Sequence, residues 1–105
     1  MADIQGFFNE YLPHKLTKKP SLASEINAIY VFDIDGAGQW TVDLTVDGGE
    51  VRAEGCADAG CVVTAKKADF EKLLDKPASA MMLFTMGKLR VSNVGLAMSL
   101  QKLIG

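Results

Sequence analysis

One run of alternation constrains this chain more than any other: Trp40, Val42, Leu44 and Val46 are interleaved with Gln39, Thr41, Asp43, Thr45 and Asp47. A period of two puts the apolar set on one face of a strand and the polar set on the other, so the segment is a strand with one buried and one wet side. The chain before it follows the same rule. Tyr30, Phe32 and Ile34 alternate with Val31, Asp33 and Asp35, and Asp35-Gly36-Ala37-Gly38 supplies the residues that turn one strand into the next. After it, Asp47-Gly48-Gly49-Glu50 leads into a third strand carrying Val51 and Ala53, and Cys61-Val62-Val63-Thr64-Ala65 reads as a fourth. The expectation is a meander of consecutive antiparallel strands whose apolar face is covered by helices.

The helices come from the flanks. Ile4, Phe7, Phe8, Tyr11 and Leu12 recur at helical spacing, with Asp3 as an N-cap and Pro13 as a stop. Lys15, Lys18, Lys19 and Pro20 form a basic connector to a short helix, Ser21 to Ile26, capped by Ser21. Phe70, Leu73 and Leu74 mark a helix of about Ala68 to Leu74 that ends before Pro77. Ala80 to Phe84 is apolar all round, so it is expected either to be covered on every side or to line a cavity. Gly87 permits the left-handed turn that ends it, Leu89 and Val91 alternate with Lys88 and Arg90 in a fifth strand, and Leu96, Leu100, Leu103 and Ile104 stripe a last helix from Val94 to Ile104.

At 105 residues the chain reads as one domain, residues 1–105, and a chain of this length buries about 65% of its unfolded surface, enough to fold without staples. The net charge of −2 is small and the two signs read as interspersed, which makes nucleic acid a poor partner. Met1-Ala2-Asp3-Ile4 lacks the basic start of a signal peptide, and the longest apolar run, Ala80 to Phe84, is too short to span a bilayer, so a cytoplasmic protein is expected. Its two cysteines make no disulfide framework.

Candidate chemistry is thin. Asp33-Ile34-Asp35-Gly36 fails as a calcium loop, because placing Gly36 at the sixth position puts Val31 and Val42 where carboxylates are required. Asp33, Asp35 and Asp43 read instead as the wet face of the hairpin. Cys56 and Cys61 with one histidine, His14, do not supply four zinc ligands, and burial makes Cys61 a small core residue. His14 has no nucleophile or orienting carboxylate near it in sequence, and the paired glycines lie in hairpin turns, so no enzyme, cofactor or metal is expected. Four of the five methionines (Met81, Met82, Met86, Met98) fall between Met81 and Leu103, which contains no obvious acid, base or nucleophile. Flexible, polarizable methionine suits a surface that packs against hydrophobic molecules of varied shape, or else simply a core.

Against this background the segment from Cys61 to Leu103 resembles the sterol carrier protein 2 domain family. The resemblance is carried by Val62-Val63-Thr64, Asp69-Phe70 with Leu73-Leu74, the apolar segment ending in Phe84, Gly87-Lys88-Leu89-Arg90-Val91, and Gly95-Leu96-Ala97-Met98 with Leu100. Phe32, the Asp35-Gly36 turn and Trp40 before Val42 and Leu44 are similar to the family's first hairpin, so nearly the whole chain is covered. Lys66 and Lys67 depart from the pattern, standing where an acidic or hydroxyl helix cap is usual. The resemblance implies an α+β fold: a five-stranded, mainly antiparallel sheet with helices on one face and an apolar tunnel between them. It also implies non-catalytic binding and transfer of fatty acids, fatty acyl-CoA or sterol-like lipids. Carried over by position, the lining would come from Phe32, Trp40, Val42, Leu44, Phe70, Leu74, Met81, Met82, Phe84, Leu89, Met98 and Leu100. The last helix is then expected to be a lid that exchanges the tunnel for a transient membrane surface, with Lys15, Lys18, Lys19, Lys88 and Arg90 near anionic head groups or simply solvated. The chain ends in Leu103-Ile104-Gly105 rather than a Ser-Lys-Leu peroxisomal address. The alternative is an accessory module that presents a hydrophobic intermediate to, or docks on, a partner enzyme of lipid metabolism.

Overall fold

The computed structural model of the chain describes residues 3–104, and the side chains of Leu100 and Gln101 lie outside that description. Five strands, β1 (Ile29–Asp35), β2 (Gly38–Asp43), β3 (Glu50–Arg52), β4 (Cys61–Lys66) and β5 (Leu89–Val91), form one sheet in the order β3-β2-β1-β4-β5. The β1–β2 hairpin closes as its alternation demands, with Phe32 opposite Trp40 and Tyr30 opposite Val42.

The expected meander breaks at β4. This strand pairs with β1, and in parallel, setting Phe32 beside Val63 and Ile34 beside Ala65; the other three pairings are antiparallel. β1 suits the central position because Val31 is buried on the face opposite Tyr30, Phe32 and Ile34, and parallel pairing belongs to strands covered on both sides. Residues 53–60 make the crossover. The Thr41 hydroxyl, fully buried on β2, donates to the Glu54 carbonyl, and the Gly60 N–H donates to the Ile29 carbonyl at 2.9 Å. β2 also stops sooner than its alternation suggests, because the Asp43 carboxylate accepts from the Thr45 N–H at 2.9 Å and from the Thr45 hydroxyl. That local turn competes with the ladder and leaves Val46 exposed.

Helices cover the face of Phe32, Trp40 and Val63. The first helical run does not stop at Pro13: α1 (Ile4–Gly6) passes through a π-helical turn (Phe7–Tyr11) into α2 (Leu12–Lys18). The Leu12 N–H reaches five residues back to the Phe7 carbonyl, so Pro13 enters at the start of a fresh α segment, where its missing N–H costs least. Asp3 sits at the N-cap in extended conformation but makes no side-chain cap hydrogen bond. In helix α3 (Ser21–Ile26) the N-cap position falls on Pro20 rather than Ser21, and no side chain caps it. Helix α4 (Lys67–Asp75) follows β4 directly, and a 3₁₀ turn (Pro77–Ser79) leads into α5 (Ala80–Thr85). The last helix is two, α6 (Val94–Met98) and α7 (Leu100–Ile104), separated at Ser99.

Candidate functional site

Under the first helical run the space between sheet and helices is filled by rings. Phe8, with none of its surface exposed, stacks on Trp40 (centroids 4.6 Å apart) and on Phe70 (5.8 Å), and lies 5.1 Å from Phe32 at a tilt. Phe32 and Phe70 close the cluster edge to face at 5.8 Å. Three of the side chains expected to line a tunnel, Phe32, Trp40 and Phe70, therefore surround the ring of Phe8. Val42, Leu44 and Leu89 are buried in the same core.

An opening lies beside this cluster, where α1, the π turn, α4 and α7 converge. Asp3, Phe7, Tyr11, Leu74 and Ile104 line a cavity of about 260 Å³, with the Phe7 and Tyr11 rings stacked at 5.5 Å on one wall. This is just below the range of about 300 to 1,000 Å³ typical of small-molecule sites. Leu74 is the expected lining residue found here. Phe7, Tyr11 and Ile104 belong to apolar stripes visible in the sequence, but nothing in a stripe says which neighbour it meets. A second cleft of about 550 Å³ between α3 and the chain after β2 is walled largely by polar groups, including Ser21, Ser24, Asn27, Thr45 and Asp47.

The methionine segment contradicts its expected placement. Only Leu83 of α5 is buried; Met81 is 71% exposed, Met82 and Phe84 keep about half of their surface in water, and Met86 follows them out. Met98 on α6 is 74% exposed. Ala80 to Phe84 is thus neither covered on every side nor wrapped around a cavity, because a helix this short, packed on β5 and α4, has one inward direction and Leu83 takes it. Leu100 has a side chain outside the described residues.

The C-terminal pair is held at one point that the period-two pattern does not announce. Tyr30, fully buried on β1, donates its hydroxyl to the Leu96 carbonyl at 2.6 Å, and the Asn93 side chain caps α6 by accepting from the Leu96 N–H at 3.1 Å. Burial pushes the Tyr30 phenol up to about 12; neighbouring Cys61 adds to the rise and the Ser99 hydroxyl works against it. The available signal was chemical: a tyrosine on an otherwise apolar strand face must find a partner for its hydroxyl. Beyond that anchor, α7 packs on α2 and buries Leu103 and Ile104, the latter as a wall of the cavity.

The groups weighed for chemistry stand apart. Cys61 is buried with its thiol 3.5 Å from the Asn93 carbonyl, Cys56 is half-buried on the crossover, and His14 is exposed on α2. Asp33 and Asp43 are half-buried and Asp35 is exposed along the hairpin, and the Thr45 hydroxyl holds the Asp43 carboxyl below its usual range. Among the described residues no three His, Cys, Asp or Glu side chains are grouped to hold a metal ion, and no helix is long and apolar enough to cross a membrane.

A mixed five-stranded sheet, helices on one face, a largely apolar opening between those helices and a methionine-rich segment left exposed define a domain with hydrophobic surface to offer. The chain belongs to the SCP-2 sterol transfer family, which it matches over residues 8–105. Its fold is similar to that of apo sterol carrier protein 2 from Yarrowia lipolytica (29% identity, TM-score 0.73, covering 96% of this chain and 83% of that one). It is also similar to palmitated SCP2L2 from Aedes aegypti (20% identity, TM-score 0.76, covering 98% and 95%). The UbiJ-SCP2 ubiquinone synthesis protein shares the fold at 17% identity and TM-score 0.69, covering 99% of this chain and 93% of that one. No individually curated protein matches the chain in sequence.

Proposed function

We propose that this protein binds and transfers lipids without reacting them, taking fatty acids, fatty acyl-CoA or sterol-like molecules. The observation that carries the reading is the opening walled by Phe7, Tyr11, Leu74 and Ile104, with Asp3 at its edge, beside a predominantly apolar core. Each methylene moved from water into such a site gains about 0.8 kcal/mol, so an acyl chain supplies its own binding energy without a charged anchor. Entry of a long chain then requires the rings around Phe8 to part, extending the opening toward Phe32, Trp40 and Phe70; the Aedes relative, named as palmitated, supports a fold able to accept one. The lid is α7, which closes the opening with Ile104 while Tyr30 keeps α6 on the sheet.

Native mass spectrometry of the purified protein, with extraction and identification of what is bound, tests this directly. A near-stoichiometric acyl, sterol or isoprenoid mass is expected; a protein that carries nothing and takes up neither added fatty acid nor acyl-CoA sinks the reading. Leu74→Trp narrows the opening from a half-buried position, so it should block lipid uptake while the fold is retained at a cost of no more than about 1 to 3 kcal/mol.

A second reading, presentation of a hydrophobic intermediate to a partner enzyme, is favoured by the likeness to a protein named for ubiquinone synthesis. It predicts a specific co-purifying enzyme and little exchange of lipid between vesicles.

A further inference from the structure

We propose that α5 and the turn after it dock this protein on an anionic bilayer surface. On a helix that advances about 100° per residue, Met82 and Phe84 flank the buried Leu83 on either side and Met81 lies on the far side from it; all three are exposed, and Met86 continues the exposed set. Contiguous exposed apolar side chains mark an interaction site, and none of these lines either cavity of the fold, so they fit an external surface better than a pocket. The shortness of α5 suits such a surface, because a single short helix sinks its apolar residues only to the boundary between head groups and acyl chains.

The charges select the sign of that surface. The interspersion expected from the composition holds only as far as Asp75: all 13 carboxylate side chains lie at or before it, and from Lys76 onward the only charged side chains are Lys76, Lys88, Arg90 and Lys102, all exposed. Lys76 precedes the 3₁₀ turn that leads into α5, and Lys88 follows Gly87, so cations bracket the exposed methionines on both sides with no carboxylate between them. Long cationic side chains of this kind reach head-group phosphates while their stems lie on apolar surface. A negatively charged leaflet satisfies both the apolar helix and its rim. The proposal rests on the lipid-carrier reading for its purpose, since a carrier loads from a membrane.

Co-sedimentation with vesicles of phosphatidylcholine, alone or with about one-third phosphatidylglycerol, tests it. The wild-type chain is expected to bind the anionic vesicles, to lose affinity as salt rises, and to bind neutral vesicles poorly. The double variant Met81→Ser and Met86→Ser should lose roughly tenfold in affinity and Lys88→Ser roughly fivefold, whereas Lys18→Ser, on the competing basic segment of α2, should bind as wild type. Equal binding to both vesicle types, variants that bind as wild type, or a loss on Lys18→Ser comparable with that on Lys88→Ser overturns the proposal. So does self-association without vesicles that the double methionine variant abolishes, since a second copy would then cover α5. Binding of a fluorescent fatty acid in vesicle-free solution separates the two readings. Its retention by the methionine variant supports a docking role, and its loss there assigns α5 to the ligand site instead. Wild-type protein that docks on vesicles but never binds the fatty acid ends the carrier reading and leaves the docking surface standing.

Discussion

The ring cluster around Phe8 and the helix α5 are both strongly apolar in sequence, yet one is sealed and the other stands in water. Phe8 has rings on two faces, from Trp40 on the sheet and Phe70 on α4, and a third at a tilt from Phe32. In α5, Leu83 alone is buried, with Ala80 packed beside it, and Met81 is 71% exposed. Hydrophobic character makes a residue eligible for the core, whereas burial requires partners on several sides, which a central strand pair and two covering helices supply and an edge strand does not. β5, on which α5 packs, is that edge.

The contrast can be broken at its strongest point. Phe8→Ala should destabilise the fold by about 3 to 5 kcal/mol in urea denaturation, because the void it leaves is bounded by rings from both sheet and helices and cannot collapse easily. A loss under about 1 kcal/mol would mean that the rings close on each other without Phe8, and that the space beneath the first helical run readily changes shape.

At the far end of α5, before β5, stands Gly87 with φ of +75°. A Cβ there would meet no neighbouring atom, so Gly87→Ala isolates the backbone cost of the left-handed conformation, about 1 to 2 kcal/mol. If the loss is much smaller, α5 is free to reorient, and its exposure reflects a loose hinge rather than a fixed surface. Calorimetry on the variant reads this directly.

How much of this was legible follows from what a sequence pattern encodes. Period-two alternation located β1, β2, β3 and β5 and put Phe32 and Trp40 on the apolar faces of their strands, and the structure sets the two opposite each other across the hairpin. The alternation could not choose β4's neighbour, since Cys61, Val63 and Ala65 would face a core equally well beside β3 or β1. Pro13 misled for a related reason: its cost depends on the turn before it, and the π-helical step at Phe7–Tyr11 leaves no mark in composition. Of the expected ligand residues whose side chains are described, Leu74 alone lines the opening, and Phe32, Trp40 and Phe70 pack around Phe8. Met81, Met82, Phe84 and Met98 face solvent, and the role of Tyr30 in anchoring α6 was hidden because its hydroxyl finds a partner 66 residues away.

That anchor gives a smaller effect with a distinctive pH signature. Tyr30→Phe removes the donor to the Leu96 carbonyl and should cost about 1 kcal/mol. In the wild type the folded phenol holds its proton up to about 12 against 10.0 unfolded, so the unfolded chain releases a proton first. The stabilisation is therefore complete below pH 10 and is lost as pH rises from 10 toward 12. Denaturation midpoints measured through that window should fall more steeply for wild type than for Tyr30→Phe; parallel curves would show that the phenol is not buried in the folded chain.

The smallest expected change is the most informative about the comparison. Met81→Ala deletes a large apolar side chain from α5, and if apolar residues stabilised this fold wherever they sat, the cost would approach the 2 to 5 kcal/mol of a core truncation. With 71% of Met81 already in water and alanine the better helix former, the change in stability should stay within about 0.5 kcal/mol. A loss above about 2 kcal/mol would show that α5 turns its methionines inward in solution and closes on the core, making the two regions one. A negligible loss leaves the methionine contributing nothing to the folded monomer, so that whatever it contributes must come from a surface outside the chain.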